Sequence, residues 1–136
     1  DGWEVANVSI AENIVNTFSN APTRKIWLQA DRANPTDWSK TNQALANELN
    51  REARLQKLLE NAIADVEGRQ NALVLVTDLE ALHPYLRIGA IEAQLQGKFH
   101  VPTVFLYPGV RTGKTRLKFL GFYPEDGNYR SVHVGG

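Results

Sequence analysis

The stretch ALVLVTD at residues 72–78 decides the fold. It is a continuous apolar run closed by a carboxylate, and such a run is typical of a strand buried on both faces in the centre of an α/β sheet. Asp78 then lies at the carboxyl end of the strand, where open α/β sheets bind ligands. The alternative for Asp78 is a capping or loop carboxylate, because aspartate readily hydrogen-bonds the local backbone.

The residues before this run predict one strand followed by helices. Alternation of apolar and polar side chains predicts a strand from Trp3 to Ile10. Apolar residues at helical spacing predict helices over 11–18 and 39–67. The run at 24–33 fits either a helix or a brief strand at Ile26-Trp27-Leu28, and the helix is favoured. The helix over 39–67 changes its apolar stripe, which predicts a break near Asn50, with Asn50 capping the second part. Gly68 stands where a helix-terminating glycine belongs.

The residues after the run predict one helix and three more strands. The helix contains Leu86, Ile88, Ile91 and Leu95 and ends at Gly97, and Pro84 is expected near its first turn. Strands are expected over 103–107, 116–122 and 129–134, with turns at Pro108-Gly109 and at Asp126-Gly127-Asn128. The whole chain, 1–136, is therefore predicted to be one layered α/β domain. It has a mixed sheet, helices packed on that sheet and a C-terminal antiparallel β-meander.

Composition is that of an ordinary globular domain, with 43% hydrophobic and 22% charged residues and zero formal net charge. The charge is uneven: residues 1–97 carry nine Lys/Arg and thirteen Asp/Glu (−4), and residues 98–136 carry six and two (+4). Cysteine is absent, which excludes disulfides and thiolate chemistry and favours a cytoplasmic location. No apolar run approaches the roughly 18 to 20 residues that span a bilayer. Methionine is also absent, so we expect an N-terminal segment to be missing.

The basic stretch Val101 to Arg130 holds most candidate binding residues. Gly113-Lys114-Thr115 suggests a phosphate loop, but that motif needs four residues between its glycines, whereas three separate Gly109 from Gly113. A phosphate loop must also open a helix, and residues 116–120 have the pattern of a strand. ATP hydrolysis is therefore not expected. The alternatives left open are a hairpin that contacts phosphate or carboxylate through Arg111, Lys114 and Arg116, and a solvated hairpin that protects a sheet edge.

Catalytic and metal-binding patterns do not stand out. The three histidines His83, His100 and His133 lack the paired spacing of a metal site. There is no Gly-x-Ser-x-Gly nucleophile elbow. Tyrosines 107, 123 and 129 could stack on bases, although neutral overall charge makes contact with DNA a secondary hypothesis. We therefore predict a chain that is not an enzyme, with no catalytic residue, metal or cofactor.

Several short strings in the C-terminal half form a more specific combination. They are LHPYLRI at 82–88, LQGK at 95–98, VP at 101–102, YPG at 107–109, GK at 113–114, FLG at 119–121 and DGNYRS at 126–131. Together they resemble the BrxB family of bacterial BREX (bacteriophage exclusion) phage-defence systems. The resemblance covers about 78–136, and residues 1–70 share only helical character with the family.

The resemblance implies a cytoplasmic protein encoded beside a PglZ-type phosphatase-like protein, a PglX-type methyltransferase and a large BREX ATPase. It also implies an adaptor that binds other BREX components, with the PglZ-type protein as the first candidate. The residues expected to contact a partner or an anion are Arg111, Lys114, Arg116, Tyr129 and Arg130, with Asp78, His83, Arg87 and His133 as secondary candidates. A second hypothesis places Asp78, Arg87, Arg111 and Lys114 around a phosphate-containing molecule.

Overall fold

A computed structural model describes residues 2–127 and 129–135 of the chain, so Asn128 of the predicted turn lies outside the described residues. Its helices and strands follow in the order β1 (Glu4–Ser9), α1 (Ile10–Asn20), α2 (Arg24–Ala33), α3 (Ser39–Asn50), α4 (Arg54–Val66), β2 (Ala72–Thr77), α5 (Ile88–Gln94), β3 (Thr103–Phe105), β4 (Gly109–Arg111) and β5 (Leu117–Phe119). Short 3₁₀ helices occupy Arg51–Ala53 and Leu79–Leu82. The predicted α/β class is confirmed.

The first three strands form a parallel sheet in the order β1-β2-β3. The apolar run at 72–77 is its central strand, as predicted. Val5 is in register with Leu73, and Leu75 is in register with Val104. Strands β4 and β5 form a separate antiparallel hairpin. The sheet is therefore purely parallel, where the sequence predicted one mixed sheet.

The helices cover only one face of this sheet. Parallel crossovers are right-handed almost without exception, so two crossovers that step the same way across a sheet place their helices on the same face. Val74 and Val76 of β2 are fully buried on that face, against a core that includes Leu59 and Ile63 of α4. The alternate residues of β2 are only half-buried. The prediction that β2 is buried on both faces is wrong.

The helical segment has the expected break, but the predicted cap is wrong. Helix α3 ends at Asn50, whose side-chain amide donates to the Ala46 carbonyl oxygen at 3.0 Å and does not cap α4. Backbone φ angles of 53° at Glu52 and 54° at Ala53 turn the chain into α4. A glycine ends that helix as predicted, because Gly68 has a φ of 80° just after it.

The carboxylate of Glu48 fixes this break from the inside. Glu48 is 2% exposed and lies 2.9 Å from the guanidinium of Arg51 and 3.0 Å from that of Arg54. A buried carboxylate needs such partners, since an unpaired charge in the core is strongly destabilising. The ion pairs therefore join the end of α3 to the start of α4.

Strand pairing in the C-terminal part differs from the prediction. Strand β3 pairs with β2 in parallel and not with residues 116–122. Gly109 is the first residue of β4 and not part of a turn: it is in register with Phe119, and a Cβ there would lie 2.4 Å from the carbonyl oxygen of Lys118. Only glycine permits that approach. Pro84 also lies outside α5, which begins at Ile88.

The predicted strand at 129–134 is absent from the described residues of that segment. Instead of a ladder, an isolated antiparallel bridge joins Leu117 to Asp126. The backbone N–H of Ser131 donates to the Glu92 carboxylate at 3.1 Å, which holds this part of the segment against α5. The expected meander is thus a two-stranded hairpin followed by an irregular segment.

Candidate functional site

The basic hairpin consists of β4, β5 and the turn at 112–116 between them. Arg111 donates through Nε to the Gly113 carbonyl oxygen at 3.1 Å and through Nη1 to the His133 carbonyl oxygen at 3.4 Å. Arg116 lies 3.4 Å from the Glu125 carboxylate, and Lys114 is exposed in the turn. Residues 117–119 form a strand, so the phosphate-loop alternative lacks the helix that it requires.

Tyr129 belongs to the core, although the sequence grouped it with surface contacts. It is 5% exposed, and its hydroxyl donates to Oδ2 of Asp126 at 3.0 Å. Its ring centroid lies 5.9 Å from that of Tyr107 and 5.8 Å from that of His133. Burial, followed by the neighbouring Tyr107 and Asp126, raises the pKa of Tyr129 far above its ordinary value. Arg130, next in the chain, is exposed.

Asp78 lies at the carboxyl end of β2, as predicted, in a left-handed conformation with a φ of 61°. Its Oδ2 accepts hydrogen bonds from Ser9 Oγ at 2.5 Å and from Thr77 Oγ1 at 3.0 Å. These bonds tie the ends of β1 and β2 together. The carboxylate thus has a structural role at the edge of the sheet where ligands bind in related folds.

Arg87 and His83 lie within an aromatic cluster. The guanidinium carbon of Arg87 lies 3.9 Å from the ring centroid of Tyr123 and 4.8 Å from that of Phe119, which is cation–π geometry. The Tyr123 hydroxyl lies 2.5 Å from Nδ1 of His83. Sequence reasoning identified Arg87 and His83. It did not identify their contacts with Phe119 and Tyr123, because those contacts depend on where β5 lies in the fold.

Direct contacts among the residues predicted to surround a phosphate are few. Among the described residues, no hydrogen bond or ion pair joins Asp78 to Arg87, Arg111 or Lys114. Arg111 and His133 do meet, through the bond to the His133 carbonyl oxygen. The candidates thus belong to three parts of the fold, which are the basic hairpin, the aromatic cluster and the carboxyl end of β2.

The largest feature that the sequence did not reveal is the uncovered face of the sheet. We call it the open face, and it consists of Trp3, Val5, Leu73, Leu75, Val104 and Leu106. Trp3 is 55% exposed, Val5 51%, Val104 45% and Leu106 53%. The registers of β1 with β2 and of β2 with β3 place Val5, Leu73, Leu75 and Val104 on one side together with Asn7, and alternation extends that side to Trp3 and Leu106. Periodicity alone could not reveal it, because ALVLVT is apolar at every position but the last.

A groove of about 610 Å³ adjoins the open face at β3. Residues 103–109 form one wall and residues 131–135 form the other, with Arg111 at one side. Both ring nitrogens of His133 are buried without a hydrogen-bond partner in the described structure. An unpaired buried polar atom is costly, so these nitrogens are available to a bound group.

Across 2–127 and 129–135, no three His, Asp or Glu side chains are grouped so that they could hold a metal ion. Within the same ranges, none of the helices is both long enough and apolar enough to span a bilayer.

Comparison with known proteins identifies the family. A protein-family model described as "BREX protein BrxB" matches residues 8–134, and searches of curated proteins and solved structures gave no match. The match also covers the N-terminal helices, which the short strings at 82–131 do not include. The chain therefore belongs to the BrxB family of BREX phage-defence proteins.

Proposed function

We propose that this BrxB-family chain is a non-enzymatic adaptor that assembles other BREX proteins, with the PglZ-type phosphatase-like component as its first partner. The observation that supports the proposal is the open face. Parallel sheets are normally covered on both faces, and here the helices of the chain cover one. A partner that supplied the second layer would complete an ordinary three-layer α/β arrangement.

The chemistry of the open face suits a protein partner. Most of its side chains are aliphatic or aromatic, with Asn7 of β1 beside Leu75, and large exposed apolar patches mark interaction surfaces. Fully burying a Val, Leu or Ile side chain contributes roughly 1.5–3 kcal/mol, so burying the exposed half of each would contribute roughly 1 kcal/mol per side chain. Several such contributions together can offset the cost of association. The proposal therefore predicts that a few substitutions on this face weaken binding strongly.

Co-purification with substituted chains tests this proposal. Tagged chain and PglZ-type protein are produced together, and the variants Val5→Lys and Val104→Lys are compared with Val15→Lys. Val15 is 62% exposed on α1, away from the open face, and serves as a matched control. We expect the unsubstituted chain and Val15→Lys to retain the partner and the other two to lose it. Retention of no BREX component at micromolar concentration, or equal retention by all variants, would contradict the proposal.

The second candidate function is phosphate or nucleotide binding by the hairpin at 109–116, together with contact to DNA. The exposed Lys114 favours it, because no ion pair or hydrogen bond engages its ammonium group in the described structure. Against it, Arg116 already binds the Glu125 carboxylate within the chain. DNA contact would show a steep dependence of binding on salt concentration.

A further inference from the structure

The outer edge of β3 presents unpaired backbone groups. The Val74 N–H donates to the Pro102 carbonyl oxygen at 2.9 Å, and the Leu106 N–H donates to the Val76 carbonyl oxygen at 3.0 Å. Since successive residues of a strand direct their amide groups to opposite sides, the groups of Thr103, Phe105 and Tyr107 point away from β2. In the described structure none of these three N–H groups has an acceptor, so the edge can accept another strand.

The C-terminal segment, residues 129–135, lies beside this edge without pairing to it. The Ser131 N–H is bound to Glu92, and the His133 carbonyl oxygen accepts from Arg111. The groove between this segment and β3, about 610 Å³, is of the size that accommodates small ligands or part of an extended peptide. Val132 and Val134 are 89% and 93% exposed, so the segment itself has apolar side chains to cover.

The charges around the groove define the kind of strand that fits. Arg111 lines the groove on one side, and Arg130 lines the adjoining hollow that continues it past Thr103. Glu92 is the one acidic side chain that lines this groove in the described residues, and its carboxylate already accepts from Ser131. The surrounding part of the chain, 98–136, carries a formal charge of +4.

We infer that the groove beside β3 binds an extended, acidic segment of a partner protein, which adds to the sheet as a fourth strand. Its backbone pairs with Thr103, Phe105 and Tyr107, and its acidic side chains face Arg111 and Arg130. Side chains on alternate positions contact Val104 and Leu106 of the open face. Such strand addition combines backbone hydrogen bonds for affinity with side-chain pockets for specificity.

This inference rests on the proposed adaptor function, and it names the chemistry that the partner presents. A second copy of the chain that pairs symmetrically through the same edge fits less well, because it would bring the same +4 end to a basic groove. Like charges brought together at an interface are unfavourable. An acidic partner segment has the opposite charge and would also be steered towards this end of the chain.

Peptides provide the test. An array of overlapping peptides tiles the BREX proteins encoded beside this chain, and the full chain is used as the probe. The strongest peptide is then labelled, and its affinity is measured by fluorescence polarisation. We expect an acidic peptide with micromolar affinity. Arg111→Glu should weaken binding by at least about tenfold, and Arg24→Glu on the exposed helix α2 is the matched control.

Methylation of single peptide amides separates strand addition from other modes of binding. In an added strand, every second amide donates to β3, so N-methylation should weaken binding by about tenfold or more at alternate positions and little between them. This readout does not depend on any variant of the chain. A uniform or helical pattern of sensitivity would overturn the inference. Self-association of the chain that is lost when the groove is filled would also overturn it.

The inference and the adaptor proposal can fail separately. Co-purification of the PglZ-type protein without binding of any peptide would refute strand addition and leave the adaptor proposal standing. Loss of both would refute both.

Discussion

The two faces of the parallel sheet carry similar residues and have different surroundings. Val74 and Val76 point into the core and are fully buried, whereas Leu73 and Leu75 of the same strand point to the open face and are only half-buried. The difference arises from topology, because both crossovers place their helices on one side. Side-chain hydrophobicity alone therefore does not specify which face of this sheet the chain itself covers.

The largest expected effect comes from placing a charge on the covered side of β2, and the same charge on the open side should have a much smaller effect. Val74→Asp would leave an unpaired carboxylate in the core and should lower the free energy of unfolding by about 3–5 kcal/mol. Leu75→Asp, one residue away on the open face, should cost about 1 kcal/mol, since water reaches the carboxylate. Urea denaturation of both variants measures the difference, and equal costs would show that the open face is covered within the chain.

The covering layer provides the second test. Leu59 of α4 is 1% exposed and packs in the core, so Leu59→Ala should lower the free energy of unfolding by about 3 kcal/mol through lost contacts and the cavity left behind. Leu106→Ala removes the same atoms from a side chain that is 53% exposed, and it should cost less than about 1 kcal/mol. Thermal and urea unfolding give both values. Comparable losses would contradict the assignment of the two faces.

Sequence reasoning succeeded where local patterns determine the structure. Alternation placed β1, helical spacing placed α1 and favoured a helix over a strand for α2, and Gly68 marked the end of α4. It failed where partners are distant along the chain. The strand at 103–105 has no local signal that distinguishes pairing with β2 from pairing with 117–119.

The candidate site was predictable to a smaller extent. Asp78 was placed correctly at the end of β2, and Arg111 and Lys114 were placed on a basic hairpin. The burial of Tyr129 could not be foreseen, because it depends on contacts with Tyr107 and Asp126 that pairing in the hairpin brings about. The open face was missed because an apolar run looks the same whether one or both of its sides are covered.

The next test concerns whether the hydrogen bond of the buried Tyr129 stabilises the C-terminal segment. Tyr129→Phe removes the hydroxyl that donates to Asp126 at 3.0 Å, so it should lower the free energy of unfolding by about 1 kcal/mol at neutral pH. Tyr123→Phe serves as a comparison, because the Tyr123 hydroxyl contacts His83 in a half-buried setting. A cost near zero for Tyr129→Phe would contradict a stabilising hydrogen bond between Tyr129 and Asp126.

Alkaline pH gives an independent measurement of the same contact. Burial raises the pKa of Tyr129 and of Tyr107 above the ordinary value of 10.0. In the unfolded chain these hydroxyls ionise near pH 10, while the folded chain keeps them neutral. Their contribution is therefore complete below about pH 10 and is lost as the pH rises from there towards the folded-state pKa. Urea unfolding between pH 8 and about 11 should show this fall, and Tyr129→Phe should make it shallower.

The smallest expected effect lies on the basic hairpin, which contrasts with the open face in charge and exposure. Lys114 makes no contact that stabilises the described structure, so Lys114→Ala should change the free energy of unfolding by no more than about 0.5 kcal/mol. A nucleotide bound there at 100 times its dissociation constant would stabilise the chain by about 2.7 kcal/mol. Because Arg116 is already paired with Glu125 within the chain, we expect ATP, ADP and pyrophosphate to leave the melting temperature unchanged. A rise that grows with ligand concentration and disappears in Lys114→Ala would transfer the main functional role from the open face to the hairpin.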